Sequence, residues 1–255
     1  PTYGVRASFP RSFINTYLNI DGTPFTNNPN YATTPFVEEV KGRDGRLSQT
    51  IRTEGYTRIN GGNVVKTPPV FSYTYTGYQP IKWVLDDVSY DNGARNDNII
   101  PLFRFAEILL NYAEAKAELG PMTDADWDKT IGALRRRAGI TGNTSVKPTT
   151  ADPYLRTEYF PEITDPTLLE VRRERGIELA LEGFRFEDLI RWEKGELMEK
   201  KWNGMYVPAL NTPMDLNNDG VMDVSFYTTS PGTQLPGVTY VRVAGGTTGL
   251  SLKDG

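Results

Sequence analysis

The sequence predicts a mainly helical protein in which helical hairpins are packed together with loop-rich and short-strand segments. Three observations carry that expectation. Helical apolar spacing, with start and stop signals, is confined to residues 101–199. Residues 1–100 are rich in Gly, Pro, Asn, Thr and Tyr and show no sustained helical period, and residues 200–255 return to the same composition. At 255 residues the chain is long enough to bury a real core, and it is read as a single unit, 1–255, made of these three regions.

Within the first region, 42–53 (GRDGRLSQTIRT) reads as a turn followed by a strand, and 71–85 (FSYTYTGYQPIKWVL) alternates Tyr with Thr. Alternation on a strand puts Tyr73 and Tyr75 on one face. With Tyr78 and Trp83 they form a candidate stacking platform for a sugar or another flat ligand; the competing reading is aromatic packing within a hairpin.

Pro101 opens the first predicted helix, with Leu102, Phe105, Leu109, Ala113 and Ala117 as its buried stripe and Gly120-Pro121 as its stop. Thr123 and Asp126 then resemble a capping box, and Trp127, Ile131, Leu134 and Ala138 run at helical steps to Gly139. The short loop between these helices requires them to fold back on each other. Residues 140–164 read as a connection. Asp165 is placed to cap the next helix and Pro166 to occupy its first turn, while Gly183 suits its end. A further helix carries Phe186, Leu189, Ile190 and Leu197 on one face, with Trp192 near its end. Two hairpins of this kind suggest helix pairs of the tetratricopeptide type, too few to define a sequence period.

Glu170, Glu174, Glu178 and Glu182 fall at four-residue steps and form a carboxylate stripe, with Arg172, Arg173, Arg175, Arg185 and Arg191 nearby. Paired carboxylates are what a glycoside hydrolase needs. The reading favoured here is an Arg–Glu ion-pair lattice, because catalytic carboxylates normally sit in a cleft rather than along a helix.

Composition narrows the chemistry. The chain has no histidine and no cysteine, which removes Ser-His-Asp and Cys-His constellations, thiolate or imidazole zinc sites and disulfides. A net charge of -4 gives no basic footprint for nucleic acid. No apolar run approaches the ~20 residues that cross a bilayer. Any metal must be a hard cation held by oxygen. Residues 215–223 (DLNNDGVMD) offer such a set, with Asp215, Asn217, Asp219, the Val221 carbonyl and Asp223 at the spacing of an EF-hand calcium loop. Phe226 stands where the bidentate Glu of that loop belongs, so Ca2+ and a plain Asx-rich turn both remain open.

Several blocks, in order and over most of the chain, resemble the SusD/RagB-like surface lipoproteins of Bacteroidetes in their carboxy-terminal part. They are Arg43-Asp44-x-Arg46-Leu47, Arg104-x-Ala106-Glu107 with Leu110-Asn111-Tyr112-Ala113-Glu114-Ala115, Leu134-Arg135-x-Arg137-Ala138-Gly139, and the run from Glu174-Arg175 through Glu182-Gly183-x-Arg185 to Asp188-Leu189-x-Arg191-Trp192. Gly45 stands where that family usually has Pro, and Leu181 and Glu187 stand where aromatics are common. The resemblance implies a SusD-like helical fold and a binding protein rather than an enzyme. It further implies a lipid anchor on the outer face of the outer membrane, a SusC-like TonB-dependent transporter as partner, and a glycan, oligosaccharide or in some branches peptide ligand. The anchoring cysteine and a helical amino-terminal half are expected to lie outside this chain.

Overall fold

The structure, a computed structural model, describes residues 6–91, 93 and 97–243. Its helices are α1 (Gly45–Thr50), α2 (Phe105–Leu119), α3 (residues 124–137), α4 (Pro153–Glu158), α5 (Pro166–Glu178) and α6 (Arg185–Arg191), with shorter turns between them. Two small sheets accompany them: β1 (Thr57–Asn60) pairs antiparallel with β2 (Asn63–Lys66), and β3 (Val224–Tyr227) runs parallel to β4 (Thr239–Arg242). The β1–β2 turn is Gly61-Gly62, both at positive φ, as a two-residue hairpin requires.

Helix α5 is the element on which the core is built. Ile177 packs with Ile14, Tyr17, Leu47 and Phe226 from the loop-rich regions; Val171 packs with Leu110, Trp127 and Ile131 of α2 and α3; Leu169 packs with Leu155, Phe160 and Trp192. One helix therefore faces three apolar clusters, each fully buried side chain contributing about 1.5–3 kcal/mol. Its start follows the sequence: the Asp165 carboxylate accepts the Thr167 N–H at 2.8 Å and Pro166 fills the first turn.

The α2–α3 hairpin forms as expected, and its turn carries the full capping box of Thr123 with Asp126. Residues 128–132 of α3 are a π-helical segment that the apolar spacing did not reveal. Thr130 there donates its hydroxyl to the Asp126 carbonyl at 2.7 Å, a contact that competes with the regular ladder. Gly139, at φ 84°, ends the rod.

Several expectations are corrected. Residues 45–50 form α1 rather than a strand, because Asp44 caps them by accepting the Arg46 N–H. Gly45, in place of the family's usual proline, donates its N–H to the Ala138 carbonyl at 3.2 Å, a bond proline could not make. Residues 71–85 contain no strand; they form turns, although Tyr73 and Tyr75 still face outward while Thr74 and Thr76 are buried. Helix α2 begins at Phe105, not Pro101, since the extended Arg104 reaches away to Glu178 and Glu182. Its buried stripe is Ala106, Leu110 and Ala113, leaving Leu102 and Phe105 exposed. Helix α5 ends at Glu178, before the expected Gly183: Leu181 turns to φ 60° and Gly183 to φ 89°. On α6, Leu189 is buried but Phe186 and Ile190 are exposed. The connection 140–164 also contains α4, capped by Asp152. The part of the loop-rich 200–255 region beyond Val243 lies outside the described residues.

That connection is held to the amino-terminal loops by close backbone contact. Thr141 donates its N–H to the Ile20 carbonyl at 2.7 Å, and a Cβ built on Gly142 would stand 1.9 Å from the Asp21 carbonyl oxygen. Gly142→Ala is expected to destabilise the fold by about 1–3 kcal/mol, read as a lower midpoint in denaturant unfolding.

Candidate functional site

The carboxylate stripe of α5 is spent on structure. Glu174, fully buried, accepts from Arg46 at 2.5 Å and from Arg135 at 2.9 Å. Glu170 accepts from Arg135, Glu178 from Arg46, Arg104 and Arg137, and Glu182 from Lys82 and Arg104. Most of these cations come from α1, the segment before α2, and α3 rather than from α5 itself, so the lattice ties the blocks of the fold together. Burial alone would raise the Glu178 carboxyl, but the Arg46 charge and hydrogen bonds from three guanidiniums outweigh it and hold the group down at about 2. Glu170 and Glu182 are likewise held down by their cations against burial. None of these three supplies the raised carboxylic acid that glycoside hydrolysis requires.

The candidate aromatic residues divide into three situations. Tyr73 and Trp83 line one cleft of about 430 Å³, together with Arg52, Arg58, Gln79 and Tyr90. Tyr73 is 45% exposed. Trp83, at φ 70°, is fixed in place: its indole N–H donates to the Leu181 carbonyl at 3.0 Å, and Asn98 donates to its own carbonyl. Tyr75 is 52% exposed but lies outside that cleft, with the Arg6 guanidinium 4.9 Å from its ring centre. Tyr78 is corrected to a core position. It is 0% exposed, its ring lies tilted at 42° to that of Phe36 with centroids 6.1 Å apart, and it donates its hydroxyl to Glu39 at 2.7 Å.

The cleft's polar groups were not marked by any spacing in the sequence. Arg58 holds Asp91 through two bonds of 2.8 Å, Gln79 accepts the Val70 N–H at 2.9 Å, and Tyr90 donates to Asp97 at 3.2 Å. They arrive from separate segments, Arg58 from β1 and the others from turns. Flat aromatic faces beside fixed hydrogen-bonding groups suit a polar, ring-shaped ligand.

A second cavity, of about 600 Å³, lies where α5 gives way to α6. Phe9, Phe13, Leu179, Phe184, Leu189 and Trp202 give it a mainly apolar wall. Arg175, Arg185, Asp188 and Lys200 also line it, but the wall is mainly apolar, and the aromatic cleft is the better candidate for a sugar.

Residues 215–223 form a tight turn. One Asp215 oxygen accepts the N–H groups of Asn217, Asn218 and Asp219, and the other accepts that of Gly220. Asp219 accepts from Val221 and from the Asn217 side chain, and Asp223 from the Leu216 N–H. Burial, with the charges of Asp215 and Asp219, pushes the Asp223 carboxyl up to about 6. Among the described residues no group of three or more acidic side chains is gathered to hold a metal. The hydrogen bonding is that of an Asx-rich turn, one of the two readings the sequence offers. Calcium or chelator is therefore expected to leave the thermal unfolding midpoint unchanged; a chelator-induced fall would show that Asp215, Asn217, Asp219, Val221 and Asp223 rearrange around Ca2+.

A helical scaffold locked by buried Arg–Glu pairs thus carries an open aromatic cleft on its loops, and the carboxylates of α5 serve the scaffold. The SusD family model matches residues 4–229, and the chain belongs to that family. The fold is similar to a SusD-like carbohydrate binding protein from Bacteroides fragilis at 27% identity and TM-score 0.56, covering 79% of this chain and 39% of that one. It is also similar to a second SusD-like protein from Bacteroides fragilis at 24% identity and TM-score 0.54, covering 74% of this chain and 36% of that one. This chain thus spans less than two-fifths of the length of these two structures. Among curated proteins none matches. No helix among the described residues is long and apolar enough to cross a membrane.

Proposed function

We propose that this chain is a non-catalytic carbohydrate-binding part of a nutrient-capture protein, and that it takes a glycan or oligosaccharide in the cleft of Tyr73 and Trp83. The observation that carries this reading is the cleft itself: two aromatic side chains from different turns share one opening of about 430 Å³ with Arg52, Arg58 and Gln79. Sugar binding needs an apolar ring face and polar groups to pair with hydroxyls, and both are present here. The likeness to a carbohydrate binding protein from Bacteroides fragilis supports the same ligand class; a peptide is the second ligand class.

By family likeness, the working partner is a SusC-like TonB-dependent transporter, and the working place is the outer face of the outer membrane, held there by a lipid anchor outside this sequence. Phe105, Ile108 and Tyr112 on α2 and Phe186 and Ile190 on α6 are exposed, which supports contact with further polypeptide. Titration of a panel of oligosaccharides into the chain by isothermal calorimetry tests the ligand class. Saturable binding by at least one glycan supports it; heat of dilution alone across the panel overturns it.

A further inference from the structure

The arginines of this fold mostly end on carboxylates: Arg46, Arg104, Arg135, Arg173, Arg175 and Arg191 each hold at least one. Arg52 does not. It is 5% exposed, its Nη1 donates to the Pro68 carbonyl at 2.9 Å, and its Nε has no hydrogen-bond partner. Its remaining neighbour is the ring of Tyr56, whose centre is 5.1 Å from the guanidinium carbon. No carboxylate among the described residues lies within ion-pair distance of it.

A buried cation without a direct ion pair is costly, because its lost hydration is only partly returned. Burial draws the Arg52 pKa down and the nearby Arg58 adds to the fall, against the longer-range pull of Asp91 and Asp86. Arg58 shows the contrast within the same cleft, since its guanidinium is matched by both oxygens of Asp91. Arg52 lines the cleft with Tyr73 and Trp83. A guanidinium with a free edge beside an aromatic face is suited to a ligand that brings its own planar anion next to a ring.

We propose that the cleft selects acidic glycans, with the carboxylate of a uronic acid residue pairing with Arg52 while a sugar face rests against Tyr73 or Trp83. This inference rests on the glycan reading above and sharpens it to a charged class. A bidentate pair replaces an unmet cation, so the acid form is favoured over an otherwise identical neutral sugar by about tenfold or more.

The test titrates the chain with galacturonate, glucuronate and mannuronate oligosaccharides, each beside its methyl ester, which keeps the linkage and removes the charge. The expected result is that at least one acid binds about tenfold or more tightly than its ester. Within Arg52→Gln the acid and its ester should then bind with equal affinity. Equal affinity for acid and ester, or an acid preference that survives in Arg52→Gln, overturns the inference while the glycan reading stands. Binding of neither form, nor of any neutral glycan, overturns both. Should Arg52→Gln fail to fold, the acid-against-ester comparison on the unaltered chain decides the matter, and Arg52→Lys, which keeps the charge but loses the fork, supplies an intermediate affinity as a check.

Discussion

Glu174→Gln is expected to destabilise the chain by about 3–5 kcal/mol, the cost of breaking a buried ion pair from one side. Glu174 has no exposed surface, and its two oxygens face guanidiniums from two other elements, Arg46 of α1 and Arg135 of α3. A neutral amide would leave both cations without full charge compensation and would turn an N–H toward one of them. For a chain of this size the unfolding midpoint should fall by roughly 10 °C. Glu38→Gln is the control: its pair with Lys41 is exposed, and its loss should change stability by about 0.5 kcal/mol or less.

The same lattice sets an acid limit. Glu178 has a folded pKa held down at about 2, below the ordinary value of 4.5. An acid depressed in this way stabilises the fold fully above its unfolded pKa, and that contribution fades as pH falls from about 4.5 towards 2. Glu170 and Glu182 shift in the same direction, so unfolding midpoints should drop through this window. Replacing Glu178 by Gln should flatten the drop.

Tyr73→Ala is expected to weaken oligosaccharide binding about thirtyfold, the size of a hot-spot truncation of about 2 kcal/mol, with thermal stability unchanged. Tyr73 is half exposed and its side chain takes part in no hydrogen bond among those described, so its removal costs the fold little. Trp83 needs gentler treatment, because its indole N–H anchors the loop to Leu181. Trp83→Phe keeps an aromatic face and should lose affinity less than Tyr73→Ala, together with a small fall in midpoint for the missing anchor.

The parts of the fold that were legible in the sequence are those fixed by neighbours in the chain. Asp165 with Pro166, Thr123 with Asp126 and the glycine at 139 each act within one turn, and each does what its residue type suggests. The Glu stripe was also readable as structural, although most of its partners were not, since Arg46, Arg104 and Arg135 are brought to it by folding. Helix α2 shows the limit more sharply. It has apolar residues on two faces, and only packing against α5 and α3 selects Ala106, Leu110 and Ala113 as the buried one.

The candidate site was half legible for the same reason. Alternation carried Tyr73 and Tyr75 outward, whereas Tyr78 falls on the parity of the buried Thr74 and Thr76 and points inward to Glu39. Trp83 then enters the cleft through a left-handed turn that no spacing marks. Arg52 and Arg58 come from either side of Tyr56, and nothing in their local sequence distinguishes them from surface arginines.

The most direct measurement is a calorimetric titration of one binding glycan into three chains, unaltered, Tyr73→Ala and Trp202→Ala. Trp202, 63% exposed, lines the apolar cavity beside α6, so the two variants separate the two candidate openings. Loss of affinity in Tyr73→Ala with retention in Trp202→Ala is the expected result. Retention in Tyr73→Ala, or loss in Trp202→Ala alone, would contradict the placement of the ligand in the aromatic cleft.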